Sequence, residues 1–438
     1  MHHPSADVAP PPRVYSQAAP PVPPVFTLDG AHHTAVAIIG AGITGLSAAL
    51  HLAEAGVAVT VVDAKAISWG ASGRAFGQVV PYLKRGEADI VRHYGAARGA
   101  RIIDAIAAGP DLVAGLIDRL GISCGVVRTG LLFAAHTPAA AQTLAARTDY
   151  WQRRGAAVEL LDAAATRAAI GSTLYATASL DHRGLHLNPF AYTRGLAAGA
   201  ASAGARICAG MPVRALTRAG AVWRLDVGAH TVTADAVIIA TNAYSDALWP
   251  GLADSVIALR GHGMVSAPID DAIWQAILPG GQALTDTRRL FSGIRKLPGG
   301  RLHASLDGPV FGPESEPPRA RLNARLSRIF PQLGAVPWEE AWSGFVAMTP
   351  DHFPRVHALA PGLFAGLGYR GRGIAAATLI GAELAARVRG VADADLVFPV
   401  SELRPLAWRR FASVPVEALL RLWRLRDTID DMRLFSRG

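Results

Sequence analysis

Three glycines and one acidic residue have the types and spacing of a nucleotide-binding site. Gly40, Gly42 and Gly45 form the pattern G-x-G-x-x-G, and Asp63 follows at the end of a second apolar run. In such a pattern the first glycine permits a tight turn, the second lets backbone N–H groups approach a pyrophosphate, and the third lets a helix pack closely on a strand. The acid accepts hydrogen bonds from a ribose. The pattern predicts a bound dinucleotide, and the alternative is that the glycines serve packing alone.

The segments around these glycines are those that would position them. Residues 35–39 form an apolar run typical of a buried parallel strand, and residues 57–62 form a second one. Between the two runs, apolar residues recur at helical spacing from 46 to 53. The order strand, turn, helix, strand points the N-terminus of the helix, with Ile43 and Thr44, at the phosphates.

Two further segments favour FAD over NAD. Residues 69–78 read WGASGRAFGQ, and residues 362–373 read GLFAGLGYRGRG, followed by a predicted Ala-rich helix over 374–388. Backbone N–H groups and a helix N-terminus in such segments can approach a carbonyl of the flavin ring and stabilise negative charge there. Each segment alone is also typical of an ordinary loop, but their combination favours FAD.

Several motifs, taken in sequence order, resemble a known family. They are GAGITGLSAALHLAEAG, GASGR followed by GQ, DHRGLHLNP, ATNAYSDALWP, WSGFVAMTPDHFP and GLGYRGRG. From about Tyr15 to about Leu406 the sequence resembles the FAD-dependent amine and amino-acid oxidoreductases of the D-amino-acid oxidase superfamily, and gamma-glutamylputrescine oxidase-like members in particular. The resemblance implies an α/β fold, in which a Rossmann-type FAD-binding domain is interleaved with an α+β substrate domain built on a mixed or antiparallel sheet.

The resemblance also implies a set of residues that bind FAD without a covalent link. It places the backbone of Val213 near the adenine and Thr241 near the pyrophosphate. The expected cofactor-binding residues are Gly40, Gly42, Ile43, Thr44, Gly45, Asp63, Ala64, Ser72, Gly73, Arg74, Gln78, Val213, Thr241, Asn242, Gly344, Gly371, Arg372, Gly373 and Ile374.

The sequence departs from the family pattern at positions close to the expected flavin. Sarcosine-oxidase-like members attach flavin through a cysteine that corresponds to Gly344, which excludes attachment by that route. Their lysine that holds a substrate carboxylate corresponds to Ala375, and the Ser and His of their glycine motif correspond to Arg370 and Arg372. These two guanidinium groups can stabilise negative charge on the flavin or bind an acidic substrate. The alternative is that they point away and pair with surface acids.

Four side chains are candidates for the reaction centre: Arg372, Phe76, His303 and His262. Phe76 replaces part of the family's Asn-Gly-Gly-Gln segment and either narrows the pocket over the flavin or fills the core. His303, on a predicted strand over 301–306, aligns roughly with a lysine that helps oxygen react in sarcosine-oxidase-like members. A histidine cation could perform that task, and a core or surface histidine is the alternative. His262 is a second pocket candidate.

The composition is that of a large enzyme. The chain has 438 residues, of which 51% are hydrophobic and 18% are charged, and this predicts more than one domain. Only Cys124 and Cys208 are present, so no disulfide framework is implied and a cytoplasmic location is expected. No transmembrane segment or secretion signal is expected. His and Cys are not clustered at metal-ligand spacing, so no metal is expected.

The net charge of +9 has two interpretations. The arginines are dispersed along the chain, which indicates a solvated basic surface rather than a nucleic-acid partner. The exception is a helix predicted over 416–434, in which Leu422, Leu425, Ile429 and Met432 form an apolar stripe flanked by arginines. Such a helix can make peripheral contact with a membrane. Packing of the stripe on the chain's own domain is the favoured interpretation.

Domain boundaries follow from these patterns. Residues 1–34 are expected to form a Pro-rich arm that is extended or partly disordered, and residues 401–438 a helical tail. The FAD-binding domain is expected to consist of residues 35–90, 151–255 and 343–400. The substrate domain is expected to take most of 91–150 and all of 256–342.

The expected reaction is oxidation of the C–N bond of a small-molecule amine or amino acid to an imine, by hydride transfer to flavin. Oxygen is the expected electron acceptor, which yields hydrogen peroxide. One alternative is a dehydrogenase that passes electrons to quinone, and another is a flavoprotein domain in nucleic-acid modification. Because Ala375 stands where a carboxylate-binding lysine is usual, an amine whose reacting carbon lacks an adjacent carboxylate is expected to be preferred.

Overall fold

The structure is a computed structural model that describes residues 10–290, 292–307, 318–407 and 413–435. Its strands are β1 (Ala31–Ile39), β2 (Val59–Asp63), β3 (Gln78–Val79), β4 (Leu131–Ala134), β5 (Val158–Leu161), β6 (Ala178–Asp181), β7 (Leu185–His186), β8 (Arg206–Ala209), β9 (Val213–Ala219), β10 (Val222–Val227), β11 (His230–Ile239), β12 (Ile257–Ser266), β13 (Ala283–Asp286), β14 (Ser292–Leu297), β15 (Arg301–Asp307), β16 (Trp338–Met348), β17 (Arg355–Ala360), β18 (Leu363–Leu367) and β19 (Val400–Ser401). Its helices are α1 (Arg13–Ser16), α2 (Ile43–Glu54), α3 (Glu87–Tyr94), α4 (Ala96–Ala107), α5 (Gly109–Leu120), α6 (Pro138–Arg153), α7 (Ala163–Ile170), α8 (Pro189–Ser202), α9 (Asp271–Ala276), α10 (Arg319–Ile329), α11 (Gly373–Val388) and α12 (Ser413–Phe435).

The first sheet has nine strands and contains the predicted dinucleotide-binding unit. Its order is β19-β17-β18-β11-β1-β2-β8, and the hairpin of β9 and β10 continues from β11. The pairs that join β8, β2, β1, β11 and β18 are parallel. In β1, Val36 and Ile38 join the core that contains α2 and α11, whereas Ala37 and Ile39 join the core on the opposite face. Burial on both faces explains why this strand is an uninterrupted apolar run.

The second sheet has eight strands in the order β16-β12-β15-β14-β13-β4-β6-β5. Its pairs are antiparallel except the pair of β13 and β4. Side chains alternate along β15, so Leu302 and Ala304 pack in the core with α10, whereas His303 and Ser305 line a cavity. The first sheet has parallel central strands that pack against helices, and the second sheet is mixed. Together they confirm the expected α/β fold class.

The chain passes between the two sheets at places that the expected domain boundaries do not mark. Within 151–255, assigned to the FAD-binding domain, β5 and β6 pair in the second sheet. Within 91–150, α4 and α5 contribute Ile102, Ile106 and Val113 to the core that contains α2 and α11. The boundary at 342 falls inside β16. Strand pairing between distant segments, and not a change of composition, defines where the chain crosses, and the domain assignments stay predictions.

Local capping and backbone geometry decide where several elements begin and end. Asn188 caps α8 by accepting hydrogen bonds from the backbone N–H groups of Phe190 and Ala191. Gly95, at φ +78°, separates α3 from α4. Residues 230–239 form the single strand β11.

The Pro-rich arm is more ordered than expected in the part that the structure describes. Residues 1–9 lie outside the described residues. Tyr15, on the short helix α1, is 1% exposed and packs with Val265 and Trp342 of the second sheet. Residues 31–34 belong to β1, where they pair with 231–234 of β11. The arm therefore contributes to the core and to the first sheet.

The tail helix α12 also differs from its expectation. Leu422, Leu425 and Met432 of the predicted stripe are exposed. Val416 and Leu420 instead pack with Ile257 of the second sheet. The interpretation that the stripe packs on the chain's own domain is therefore wrong.

Candidate active site

One cavity of about 420 Å³ is lined by most of the expected site residues, together with parts of both sheets. The N-terminus of α2 and the ends of β1, β2 and β11 line it from the first sheet, and β12, β15 and β16 line it from the second. Its size is within the range of about 300–1,000 Å³ that is usual for ligand sites.

The glycine turn forms the end of the cavity at α2. Gly40 has φ +113°, and Gly42 ends the turn as the residue that precedes α2. A Cβ on Gly45 would lie 2.0 Å from the carbonyl oxygen of Gly40, so this position packs the helix on the strand and does not itself line the cavity. The hydroxyl of Ser72 accepts a hydrogen bond from Ile43 N at 3.0 Å and caps α2 from the neighbouring loop. The remaining free N–H groups of the first turn make this end an anion site.

Asp63 lies at the end of β2, next to the glycine turn. Its carboxylate accepts hydrogen bonds from the backbone N–H groups of Ala41 at 2.6 Å and Lys65 at 2.8 Å. Burial raises the pKa of this carboxyl, and the two backbone hydrogen bonds act against that shift. Asp63 and Ala64 line the cavity together with Val213, so the acid lies where a ribose is expected.

The C-terminal glycine segment, residues 362–373, lies against the N-terminus of α2 because the helix that follows it, α11, packs on α2. A Cβ on Gly381 would lie 2.5 Å from the carbonyl oxygen of Thr44, so the small residue is required for this approach. The hydroxyls of Thr44 and Tyr369 are 2.7 Å apart. Asn242, at the end of β11, accepts a hydrogen bond from Gly368 N at 3.0 Å. These contacts bring the two ends of the predicted FAD site together.

The loop over residues 69–78 closes the cavity on the side of β16. Arg74 donates to the carbonyl oxygens of Trp69 at 2.9 Å and Ser343 at 3.2 Å. Its side chain lies beside Gly344, where a Cβ would be 3.1 Å from Arg74 Cδ. Gly73 does not line the cavity, because it packs against the carbonyl of Ser68.

The other expected residues are also placed at this cavity. Gln78 accepts a hydrogen bond from Thr285 Oγ1 at 3.0 Å, and both residues line the cavity. The expected cofactor-binding residues that line it are Gly40, Gly42, Ile43, Thr44, Asp63, Ala64, Ser72, Arg74, Gln78, Val213, Thr241, Asn242, Gly344, Gly371, Arg372, Gly373 and Ile374.

Arg370 and Arg372 lie at the N-terminus of α11 and line the cavity. Arg372 donates hydrogen bonds to the carbonyl oxygens of Tyr82 at 3.3 Å and Leu83 at 2.7 Å. Burial lowers the pKa of Arg372 to about 9 and that of Arg370 to about 10. Within the described residues neither side chain forms an ion pair within 4 Å, so the alternative that they pair with surface acids is wrong.

His303 is fully buried among aromatic rings at the same cavity. Its ring lies 4.9 Å from that of Phe76 and 5.0 Å from that of Trp342, centroid to centroid. Its Nδ1 is 3.0 Å from the hydroxyl of Tyr15, whereas its Nε2 has no hydrogen-bond partner in the described part of the chain. Burial, followed by the neighbouring Arg295, holds the pKa of His303 well below its usual value. The lowered pKa favours a neutral imidazole at the wall of the cavity over the cation considered from the sequence.

His262 lines the cavity from β12, as expected of a pocket candidate. It is 3% exposed, and neither ring nitrogen has a hydrogen-bond partner among the residues that the structure describes. Burial, followed by Arg260 and Arg321, lowers its pKa to about 4. His262 is thus neutral at pH 7 and can exchange hydrogen bonds with a bound molecule.

Sequence reasoning missed Lys84. This lysine lines the cavity and is exposed; desolvation by the surrounding cavity wall, followed by the charges of Arg372 and Arg370, lowers its pKa to about 8. Asp307, which also lines the cavity, acts in the opposite direction. A signal was present in the sequence, since Lys84 follows the apolar segment VVPYL. A charged residue at the end of a buried run was a candidate for a partly desolvated group.

One cluster with the composition of a metal site occurs among the described residues. His136, Asp427 and Asp430 place one ligand atom each within 4.8 Å of one another. Arg289 already lies between the two carboxylates, at 2.9 Å from Asp427 and 2.6 Å from Asp430. Because the guanidinium neutralises these acids, we interpret the cluster as an ion-pair contact that anchors α12.

The residues at the cavity fit FAD. All the residues needed line the cavity: Asp63 and Val213 would hold the adenosine, the N-terminus of α2 would hold the pyrophosphate, and Phe76, Gly344 and the start of α11 would surround the flavin ring. Neither cysteine of the sequence lines this cavity. The residues present thus favour a non-covalent flavin.

Comparisons with known proteins agree with this geometry. Residues 35–387 match the family model described as FAD dependent oxidoreductase. The chain is 31% identical to gamma-glutamylputrescine oxidoreductase of Escherichia coli (strain K12) over 409 residues, which cover 92% of this chain and 95% of the relative. It is 26% identical to glycine oxidase of Geobacillus kaustophilus (strain HTA426) over 360 residues, which cover 80% of this chain and 91% of that relative.

The fold is similar to solved structures as well. The crystal structure of glycine oxidase from Geobacillus kaustophilus superposes with a TM-score of 0.71 at 24% identity, covering 84% of this chain and 99% of that one. No helix in the described residues is both long and apolar enough to cross a membrane. The matched family, its FAD cofactor and the fold lead to one conclusion: the chain belongs to the FAD-dependent oxidoreductase family of the D-amino-acid oxidase superfamily.

Proposed function

We propose that the chain oxidises the C–N bond of a small amine whose carboxylate lies away from the reacting carbon. The observation that carries this proposal is the cationic group formed by Lys84, Arg370 and Arg372 on the wall of the cavity. These three side chains influence one another's protonation, and a carboxylate would neutralise part of their charge. The 31% identical relative is named for gamma-glutamylputrescine, an amine of this kind.

The position of Ala375 supports the same substrate class. Ala375 is a residue of α11 that is buried in the core, and Gly109 of α5 packs against it. A lysine there would have no room without displacing α5. Because no cation is provided at this position, we propose that sarcosine and simple α-amino acids, which carry the carboxylate next to the reacting carbon, are poorer substrates.

The roles of the side chains follow from their surroundings. FAD, when bound, would supply the atom that accepts a hydride from the carbon next to nitrogen. Phe76 and Trp342 line the cavity and would exclude water from it. His303 and His262 remain neutral, so they orient the amine by hydrogen bonds rather than by charge. Arg372, held by the carbonyls of the 82–83 turn, provides fixed positive charge at the start of α11.

For the electron acceptor we propose oxygen, with hydrogen peroxide as the product. The alternative of a quinone-linked dehydrogenase is favoured by one observation, the exposed apolar side chains of α12, a helix whose opposite face lines the cavity. Peroxide release during turnover supports oxidase activity. Turnover only with added quinone or dye supports the dehydrogenase. We propose a location in the cytoplasm, because Cys124 and Cys208 are free and buried.

A panel of substrates tests the proposal. Anaerobic flavin reduction is measured with gamma-glutamylputrescine, putrescine, sarcosine, glycine and proline, first for the unaltered protein and then for Arg372→Ala. Gamma-glutamylputrescine, the amine that carries a carboxylate, should reduce the flavin faster than putrescine and faster than sarcosine, glycine or proline. Faster reduction by the amino acids than by every amine, with that rate lost in Arg372→Ala, would show that the cationic group holds a carboxylate adjacent to the reacting carbon and would overturn the proposal.

A further inference from the structure

The outer face of α12 combines exposed apolar side chains with positive charge. Of the ten large hydrophobic side chains that are exposed in the described residues, five lie on this helix: Val414, Leu419, Leu422, Leu425 and Met432. Val414 is 65% exposed, and Leu425 and Met432 are 57% exposed. At 3.6 residues per turn, Val414, Leu425 and Met432 project from one side, with Leu422 next to them. They form an apolar stripe along the outer face.

Arginines border this stripe, and acids are absent from it. Arg421 and Arg426 are exposed and lie on its two sides. Every acidic side chain of α12 is directed elsewhere and paired with arginine, which gives the outer face a single sign of charge. The pairs are Glu417 with Arg421 and Arg424, Asp427 and Asp430 with Arg289, and Asp431 with Arg288 and Arg328.

The inner face of α12 fixes this orientation. Val416 and Leu420 are buried against the second sheet, and Leu420 and Trp423 line the cavity. The ion pairs of Asp427 and Asp431 are buried on the same side. The helix therefore cannot turn its stripe inward without exposing these groups, and the stripe remains available to a partner.

We propose that α12 docks this protein on the surface of an anionic membrane. A stripe of apolar side chains flanked by arginines, on a helix that lies flat, is the arrangement that inserts between lipid headgroups. The helix has 23 residues, about 35 Å in length, and is not apolar enough to span. The overall net charge of +9 adds attraction to the same surface.

A second copy of the chain fits the stripe less well. A two-fold contact through α12 would bring Arg421 and Arg426 of one copy close to the same residues of the other. A stable dimer also needs about 800 Å² from each partner, more than one row of partly exposed side chains provides. An anionic membrane satisfies both, since its headgroups attract the arginines and the boundary with the acyl chains takes up the apolar side chains.

Vesicle sedimentation of the FAD-loaded protein tests the proposal without any turnover, so its failure leaves the proposed reaction untouched. Vesicles of equal parts phosphatidylglycerol and phosphatidylcholine should bind the protein, salt should weaken the binding, and vesicles of phosphatidylcholine alone should bind much less. Leu422→Glu should weaken binding about tenfold, because it removes buried apolar area and adds repulsion. Arg426→Gln should weaken it about fivefold.

Leu160→Glu is the matched control, since Leu160 is 44% exposed, Leu422 is 42% exposed, and Leu160 lies on the edge strand β5. It should leave vesicle binding unchanged. Equal binding to both kinds of vesicle, equal loss in Leu160→Glu and Leu422→Glu, or no binding at all would overturn the proposal. A concentration-dependent dimer in light scattering that Leu422→Glu abolishes would assign the stripe to a second copy instead.

Discussion

Burial sets the protonation of the ionisable side chains around the cavity. The imidazoles of His262 and His303 have lowered pKa values, so both are neutral at pH 7. Lys84, with a pKa of about 8, is still largely protonated there. At neutral pH the cavity therefore presents cations only from lysine and arginine. These positive charges suit an anionic group on the substrate. One of them is lost when Lys84 loses its proton.

Binding of an acidic amine should weaken as Lys84 deprotonates. Because desolvation by the cavity wall and the neighbouring arginines lower the pKa of Lys84 to about 8, its charge is present below that pH and is lost as the pH rises through it. The KM for gamma-glutamylputrescine should rise across this window, and the KM for putrescine should not rise with it. In Lys84→Met the KM for the acidic amine should be raised at pH 7, by roughly tenfold for one charged hydrogen bond, and the change with pH should disappear. An unchanged pH profile in Lys84→Met would contradict this role.

Asp63 should contribute to FAD affinity without being essential. A hydrogen bond to a charged group is worth about 1.5–3 kcal/mol, so Asp63→Ala should raise the FAD dissociation constant by about ten- to a hundredfold. Gly42→Val should abolish binding, because even a Cβ there would lie 2.9 Å from Ser72 Oγ and the branched side chain would extend into the cavity. Fluorescence titration of the apoprotein with FAD measures both. Full FAD occupancy in Gly42→Val would show that this turn does not hold the pyrophosphate.

Buried ion pairs, together with apolar contacts, hold helix α12 to the body. Arg288 pairs with Asp286 and Asp431, and all three groups are buried. Burial acts to lower the pKa of this guanidinium, but the carboxylates around it raise the pKa above its ordinary value. A buried network of this kind is needed as a whole, because removing one member leaves the others without compensation.

Arg288→Ala should therefore loosen α12. Breaking a buried pair costs about 3–5 kcal/mol, and the loss should appear as faster amide hydrogen exchange in α12 and as a lower Tm. Arg421→Ala is the control, since Arg421 pairs with Glu417 while 75% exposed, and exposed pairs contribute about 0–1 kcal/mol. If both variants exchange at the rate of the unaltered protein, the helix is anchored by its apolar contacts alone.

The two ends of the FAD site come from opposite ends of the chain, and close packing of α2 on α11 joins them. Ser47 donates to the carbonyl oxygen of Thr378 at 2.7 Å, and Gly381 allows the backbones to approach. The cofactor cavity is consequently formed only when the complete chain is folded. A flavin bound in this way depends on the fold for retention rather than on a bond.

Acid precipitation of the purified protein tests this mode of binding. The yellow chromophore should be released into the supernatant, because unfolding separates α2 from α11 and neither cysteine lines the cavity. Treatment with trypsin before precipitation serves as the control, since it releases flavin-bearing peptides if a bond exists. Flavin that stays in the protein pellet would contradict non-covalent binding.

Much of the site was predictable from local sequence. The turn at Gly40, the helix that begins at Ile43 and the acid at Asp63 depend on backbone geometry and periodicity within one short stretch, so their pattern alone indicates the structure. The cap at Asn188 is equally local. Domain boundaries were less predictable, because strands such as β5 join their sheet through pairing with segments that carry no mark in composition.

Other features depend on contacts between residues far apart in the chain. Periodicity showed that α12 has an apolar stripe, but the structure buries the other face of the helix. There Val416 and Leu420 pack on the second sheet, and Asp431 and Asp427 pair with Arg288 and Arg289. Tyr15 and His303 meet across 288 positions, and burial, which no local pattern encodes, makes that histidine neutral. Lys84 likewise acquires its environment from Arg370, Arg372 and Asp307. Local sequence thus specifies the nucleotide-binding turn, whereas the charges that face the substrate and the face that α12 exposes are decided by tertiary packing.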